Sequence, residues 1–474
     1  MGKRGKDDLE MKRVDFSNGR IFQNILLSAI PLLVAQLLNL LYNIVDRIYI
    51  ARIPSVGMDA LGGIGLCFPL ISLITGFTNL YGSGGSPLCS IELGCKNHPK
   101  AEKIMNTSAI LLIATGFVIT CLGWMFCSPI LRLFGASDQM LTYAWPYMMI
   151  IFSGTIFSMF SVGMAPFINA QGFSYIGMLC VIAGALINIV LDPILIFVCH
   201  LGIQGAALAT IIAQMISALI AFSFLKSKKA SLKLDFKEIR QFSWDIARKI
   251  IGLGSAAFTM QLTNTLVQIA GNFQLSVYGG DLYISIRTVI ASITQIMDTP
   301  VHAMSEGASP VLSYNYGARN GKGIRKGIWI MAAMGISYTA AAWATIMIHP
   351  AFFISIFSDD PSMVNMAIPA LQIYLFGYVF QSLQYAGQTV FKSLNRKKEA
   401  IFFSLFRKVF IGIPGMFIMP LLFTNKALGV FAAEPVSNVI GGLACFITML
   451  IVIMPSLKKL DSSGLENRKS EYNV

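Results

Sequence analysis

Asp46 and Asp192 are the side chains of this sequence best placed to do chemistry. Each lies in a long apolar stretch with an asparagine at helical spacing, Asn43 three residues before the first and Asn188 four residues before the second, so each pair shares a helix face. An aspartate at the centre of a membrane-spanning helix costs about 2.5–3.5 kcal/mol on insertion scales, and one kept at that depth is by default an ion or substrate site. Gln36, Asn39, Asn43 and Asp46 follow spacings of three, four and three, one polar stripe that must face protein or water, because lipid would leave its groups unsatisfied. The alternative for the stripe is a structural hydrogen-bond seam between helices. Pro193, directly after Asp192, lacks the N–H that would bond the carbonyl of Ile189. Carboxylates, an amide and a loosened carbonyl are hard oxygen ligands, suited to a small cation such as Na+ or able to hold a proton instead.

A second set of polar residues lies further on. Gln261, Asn264 and Gln268 form one amide stripe and Gln381, Gln384 and Gln388 another, at spacings of three and four. Both could line a cleft or simply bond neighbouring helices, at under about 2 kcal/mol per contact. Asp298, His302 and Glu306 recur every fourth residue, with Arg287 about three turns earlier. Asp298 and His302 are the candidates here to meet a cationic ligand, whereas Glu306 is also readable as a residue at the membrane edge. Glu434 precedes Pro435, where a kink is expected, and is a further candidate for function. Arg407 and Lys408 are expected to snorkel or to pair with an acid.

The elements that must hold these residues follow from composition. Of 474 residues, 55% are hydrophobic and only 12% charged, with a mean hydropathy of +0.67, which excludes an ordinary soluble domain. Apolar runs long enough to span a bilayer as helix number twelve, at about 26–50, 61–82, 104–126, 141–163, 176–198, 203–225, 246–275, 283–304, 328–349, 366–388, 401–423 and 428–453. With the N-terminus inside, all but seven of the 36 Lys and Arg fall in cytoplasmic segments, as basic residues do in membrane proteins. Arg52, Arg132 and Lys426 fall outside, and Arg47, Arg287, Arg407 and Lys408 lie in or beside spans. The net charge of +13 is thus topological and implies no nucleic-acid partner. The polar first 24 residues carry no cleavable signal core, and the first helix is expected to start insertion itself. The eight cysteines form no CxxC motif and no Cys/His cluster, so they read as small apolar fillers rather than disulfides or zinc ligands.

An internal repeat organises the chain. Ser86-Pro87, Gly94, Lys96 and Asn97 recur as Ser309-Pro310, Gly317, Arg319 and Asn320 at an offset of 223 residues. Gln36 and Asn39 match Gln261 and Asn264 at 225, and Pro193 with Leu201-Gly202-Ile203 match Pro420 with Leu428-Gly429-Val430 at 227. Each half holds six helices, and an even number makes the repeat parallel. The expected fold is therefore an all-α integral membrane protein with twelve transmembrane helices in two parallel-repeat six-helix lobes around a central cleft. Its parts are a cytoplasmic segment at 1–24, an N-terminal lobe at 25–225, a basic cytoplasmic linker at 226–249, a C-terminal lobe at 250–455 and a cytoplasmic tail at 456–474. By the offsets Asp46 corresponds to Gly271, Asn188 to Gly415 and Asp192 to Met419, which confines the carboxylate pair to the first lobe.

Tyr42-Asn43-Ile44-Val45-Asp46, Asn169 with Gly172, Gly184-Ala185 followed by Asn188 and Asp192-Pro193, and Ser309-Pro310 followed by Tyr314-Asn315-Tyr316-Gly317-Ala318 together resemble the multidrug and toxic compound extrusion (MATE) family, in its bacterial MepA-like branch. The resemblance runs from about Ile25 to Pro455. It implies an antiporter that exports organic cations and other amphipathic toxins in exchange for inward sodium or protons. It also adds Thr210, at the family position that contributes a hydroxyl, to a cation-coupling set of Asp46, Asn188, Asp192, Thr210 and Asn43, of which Asp46, Asn188, Asp192 and Thr210 would ligate Na+ if sodium is the coupling ion. Gln36, Asn39, Gln261, Asn264, Gln268, Asp298, His302, Gln381 and Gln384 are the substrate-cleft candidates. A cofactor is not expected beyond the coupling ion, and the expected partners are small amphipathic molecules and the bilayer. The expected location is the bacterial inner membrane with both termini cytoplasmic, and a monomer is expected to suffice.

Three other classes fit the sequence less well. A lipid or lipid-linked saccharide flippase of the same superfamily should line its cavity with Arg and Lys, for which only Arg47 and Arg287 stand out. An intramembrane enzyme finds no nucleophile with a paired base and no metal-ligand cluster. A channel is disfavoured by the two-lobe repeat and the lack of a charged ring. The Gly317–Gly323 run lacks the spacing and the Ser or Thr of a phosphate loop and reads as a cytoplasmic turn.

Overall fold

In lipid the backbone must satisfy its own hydrogen bonds, so long apolar stretches fold as helix. The computed structural model describes residues 13–53, 64–65, 67–133, 138–235, 242–357 and 360–471. The first residues of the expected second span (61–63 and 66), residues 1–12 of the N-terminal segment, 236–241 of the linker, 472–474 of the tail and the side chain of Arg47 lie outside the described residues. In the first half the helices are α1 (Ile21–Ala51), α2 (Phe68–Gly94), α3 (His98–Leu133), α4 (Asp138–Ala170), α5 (Ser174–Pro193), continued by a π-turn at Ile194–Val198, and α6 (Gly202–Lys226). A 74-residue helical run, Trp244–Gly317, opens the second half and is broken only at Gly280, where φ is +65°. It is therefore two spans, α7 (Trp244–Gly280) and α8 (281–317). After α9 (Gly321–Ile348) and a short α10 (Pro350–Ser355), one span is made of α11 (Pro361–Leu375) and α12 (Val379–Ser393), bent by 43°. The next combines α13 (Lys397–Leu405), a π-turn at Phe406–Gly412 and α14 (Ile413–Ile418), and the last is α15 (Lys426–Glu471).

Among the described residues nine helices are long and apolar enough to cross a membrane, or ten with the bent pair. The other two of the twelve expected spans are α2, diluted by glycine and serine, and α8, which carries Arg287, Asp298 and Glu306. Helices outrun the apolar runs at their ends. α2 reaches Gly94 and α3 begins at His98, because polar turns outside the lipid continue a helix at no desolvation cost.

The chain divides into two compact units, Met1–Asn18 with Ile30–Gly254, and Gly19–Ala29 with Ser255–Val474. The repeat is written into the backbone of both. Lys96 (φ +58°) and Arg319 (φ +54°) share the left-handed conformation at an offset of 223, as do Gly172 (φ +87°) and Asn395 (φ +57°). The residue after each basic member caps the next helix: Asn97 Oδ1 accepts from Lys100 N at 3.3 Å, and Asn320 Oδ1 from Gly323 N at 2.9 Å.

In the first unit the chain ahead of α1 lies against the loop between α4 and α5. Val14 N donates to Gly172 O at 2.9 Å and Arg13 Nε to Gln171 O at 3.1 Å. A Cβ on Gly172 would collide with the Val14 carbonyl oxygen. Asp15 accepts from both the N–H and the hydroxyl of Ser17, which holds its carboxyl below the usual carboxylate range. The segment after α6 docks on the same loop. Leu232, fully buried, donates its N–H to Gln171 Oε1 at 2.8 Å, and Lys233 N donates to Glu102 Oε1 at 2.8 Å. Gln171 thus holds two separate stretches of chain. Closer still, α2 and the start of α7 touch backbone to backbone, so a Cβ on Gly254 would overlap Leu80 O. Of the eight cysteines, Cys95 and Cys199 are exposed, each just past a helix end, Cys121 is half-buried and five are buried.

Candidate functional site

Three helices of the first unit converge on one carboxyl group. Asn188 and Asp192, one turn apart on α5, are 1% and 0% exposed. Asn188 Nδ2 donates to Asp192 Oδ1 at 3.2 Å and to Thr210 Oγ1 on α6 at 3.4 Å, while the Thr210 hydroxyl donates back to Ala206 O at 3.0 Å. Asp46 on α1 comes within hydrogen-bond reach of Asp192. Two buried oxygens here, Asn188 Oδ1 and Asp192 Oδ2, receive no N–H or O–H from the described chain. Two carboxylates at this distance repel unless a proton or cation stands between them. The donor set is entirely hard oxygen: two carboxylates, an amide and a hydroxyl, which fits an alkali cation as well as a shared proton and does not fit a soft transition metal. The π-turn directly after Pro193 marks the local break in regular helix, a feature frequent at functional sites.

Asn43 spends its amide nitrogen on its own helix, donating to Asn39 O at 2.6 Å. Asn39 is exposed and Gln36 half-buried. Two tyrosines complete the surroundings, and sequence reasoning assigned neither to the site. Tyr42, one turn before Asp46, and Tyr147, buried on α4, lie in the electrostatic field of both carboxylates. Tyr42 was findable from its spacing of four to Asp46. Tyr147 has no sequence relation to either acid.

The second unit has no copy of this arrangement. Gly271, the counterpart of Asp46, leaves space that the guanidinium of Arg287 fills. Arg287 donates to the carbonyls of Val267 (3.1 Å) and Gln268 (2.8 Å) and to Asn272 Oδ1 (2.8 Å). It is spent on helix structure rather than offered to a ligand. Elsewhere in this unit Asn264, His302, Glu306 and Gln384 come together in the wall of a small indentation. Asp298 and Gln381 stand just behind that wall. Asp298 accepts from Tyr378 OH at 2.6 Å and from Gln381 Nε2 at 3.1 Å, and Gln381 reaches Tyr385, which lines the space, at 3.4 Å. Gln261 and Gln268 are not part of this wall, and Gln268 is exposed. His302 lies edge-on to Tyr385, their rings 6.0 Å apart.

Glu434 is the acid with which Arg407 and Lys408 pair. Arg407 Nη1 and Lys408 Nζ lie 3.6 and 3.3 Å from the same Glu434 Oε1, and Arg407 also donates to Asn438. Glu306 pairs with Lys392 at 3.3 Å. These cross-helix partners left no signal in sequence spacing.

Residues 31–194 and 256–418 each match the family model described as MatE, the two matches starting 225 residues apart. The chain belongs to the MatE family. The double match is the internal repeat seen from another side, and its offset falls within the range set by the paired motifs. Among curated relatives of this MatE protein, the multidrug export protein MepA of Staphylococcus haemolyticus (strain JCSC1435) is 24% identical over 438 residues, covering 92% of this chain and 94% of that one. MepA of Staphylococcus aureus (strain MRSA252) is 24% identical, covering 86% and 89%. A solved outward-facing multidrug resistance MATE family transporter of the MOP superfamily superposes with a TM-score of 0.88 at 22% identity, over 94% of this chain and 99% of that one. A MOP superfamily transporter from Pyrococcus furiosus Vc1 (DSM3638), whose binding pocket is described as having reverse polarity, superposes with a TM-score of 0.87 at 21% identity, over 94% and 99%. The likeness establishes the twelve-helix MATE fold of a multi-pass membrane protein.

Proposed function

We propose that this MatE protein is a secondary active multidrug exporter of the bacterial cytoplasmic membrane, with both termini in the cytoplasm. It extrudes amphipathic, often cationic compounds in exchange for inward Na+ or H+. The observation that carries this reading is the pairing of half-buried Asp46 with buried Asp192, with Asn188 and Thr210 beside it and two oxygens that no donor of the described chain reaches. The multidrug export named for the MepA relatives supports the same substrate class.

In this reading an ion from outside enters between the two carboxylates and removes their repulsion. α1, which carries Asp46, and α5 and α6, which carry the rest, then repack, and the change favours outward release of the drug. Coupling requires that ion and drug differ in affinity between the inward- and outward-open states. One charge moving through 100 mV supplies about 2.3 kcal/mol, against about 1.4 kcal/mol per tenfold concentration ratio, so one ion sustains a gradient below about a hundredfold for a neutral drug. Asn264, His302, Gln384 and the Asp298–Gln381 pair of the second unit are the proposed drug contacts, and a single copy of the chain is the proposed working unit.

The test is efflux of a fluorescent lipophilic cation from proteoliposomes under separately imposed Na+ and H+ gradients, with Asp192→Asn alongside. Efflux driven by one gradient and abolished in the variant identifies the ion. Efflux indifferent to Asp192 refutes the coupling site, and none under either gradient refutes the exporter.

A further inference from the structure

The indentation in the second unit is lined by three basic side chains, Lys392, Arg407 and Lys408, and by one acid, Glu306. All three cations are largely buried, their side chains 14%, 9% and 16% exposed. Buried cations at membrane depth are costly and mark ligand pathways by default. The way Arg407 and Lys408 are placed is unusual. Consecutive residues of a regular α-helix do not face one another, yet here both reach the same oxygen of Glu434. They do so inside the π-turn Phe406–Gly412, the kind of local insertion that recurs at functional sites. The corresponding span of the first unit, Ser174–Val198, contains no Lys or Arg. Lys392 pairs with Glu306, and Arg407 and Lys408 share Glu434, so three cations answer to two acids. A further acid, Asp298, accepts from the neutral donors Tyr378 and Gln381 and stands in the field of Arg407 and Lys408, with no ion pair to either among the described residues. In the same wall Gln384 is 5% exposed and donates to Phe403 O and to Gln388, while its own Oε1 receives no hydrogen bond from the described chain. Within ion-pair distance the three cations thus share two carboxylates, and the wall lacks one hydrogen-bond donor.

We propose that this indentation binds the anionic group of an amphipath that also carries an N–H or O–H, with Lys392, Arg407 and Lys408 meeting the anion and Gln384 accepting from the neighbouring donor. The substrate range then includes organic anions and is not confined to cations. The inference rests on the export reading for its purpose, but its binding chemistry is separately measurable. A carboxylate of an exported compound and a phosphate of a lipid headgroup share this chemistry.

Purified protein is titrated with dansyl-phenylalanine, which joins a carboxylate to a sulfonamide N–H, and with its uncharged carboxamide. The carboxylate is expected to bind about tenfold more tightly, the weight of one charge-assisted hydrogen bond. The preference should vanish in Lys408→Met, which leaves two cations against two acids, and survive in Lys408→Arg. Equal binding of the two probes to the unmodified protein overturns the proposal, as does a folded Lys408→Met variant that keeps the preference. Displacement of the bound probe needs no variant. Displacement by octanoate assigns an organic carboxylate, displacement by dihexanoyl phosphatidate but not octanoate assigns a lipid headgroup, and displacement only by octanol overturns the site. Gradient-driven rhodamine 6G efflux, run in parallel, fails alone if only the export reading is wrong.

Discussion

Asp192 and Asn188 each keep one oxygen to which the described chain offers no donor, and Asp46 adds a second carboxylate within reach. An occupant of that space binds the folded protein and not the unfolded one, so it stabilises by mass action, by about 2.7 kcal/mol at a hundredfold excess over its dissociation constant. The unmodified protein in detergent should therefore melt several degrees higher in saturating Na+ than in choline if sodium is the occupant. If a proton is the occupant, the rise should come with acidification instead. Asp192→Asn, which ends the carboxylate repulsion, should remove either response without lowering the baseline melting temperature. A second prediction concerns Gly172. Its φ of +87° and its contact with the Val14 carbonyl leave no place for a methyl group, so Gly172→Ala should cost more than about 1 kcal/mol, while Asn395→Gly at the equivalent turn should be neutral or stabilising. Thermal melts of both variants check this. At this scale the sequence was readable wherever one helix carried the whole relation: Asn188 with Asp192, Tyr42 with Asp46. Pairings across helices, such as Tyr147 beside the carboxylates, Lys392 with Glu306 or Glu434 with two cations, depend on rotation and depth of separate elements, which spacing along the chain does not encode.

Among the elements, apolar run length located the spans but not their ends or breaks. The bend between α11 and α12 and the π-turns after Pro193 and at Phe406 arise from local backbone geometry that hydropathy does not register, although Pro193 and Pro414 flank the two π-turns. The contact of α2 with the start of α7 is of the same kind. Small residues permit close backbone approach in membrane helices, but which glycine is used depends on the partner. Because the Leu80 carbonyl occupies the place of a side chain at Gly254, Gly254→Leu should separate the two helices. The expected result is loss of monodisperse protein on size-exclusion chromatography, whereas Gly65→Ala, with open space around its Cα and no left-handed φ, should elute normally.

For the whole molecule, the two halves share turn geometry and differ in chemistry. The matched left-handed turns at Lys96 and Arg319 and at Gly172 and Asn395 preserve one framework, while a carboxylate stands on α1 where the second half has Gly271 and a guanidinium. Division of labour between halves has an electrical consequence. If one monovalent drug cation exchanges for one ion, no net charge crosses, and efflux should be insensitive to a potassium diffusion potential. A neutral drug carried by the same protein should leave faster when the interior is made negative, by up to about the factor that 2.3 kcal/mol per 100 mV allows. Equal voltage responses for the two drugs would refute one-for-one exchange.

The distribution of cysteines carries a consequence of its own. Cys95 follows α2 and Cys199 follows the π-turn after α5, and these two are the exposed thiols among the eight. An odd number of spans, α3, α4 and α5, separates them, so a twelve-span chain presents them to opposite sides of the bilayer. The natural sequence is therefore its own sidedness reporter. A membrane-impermeant maleimide applied to intact cells should modify Cys199 and spare Cys95, and the reverse should hold in inverted vesicles.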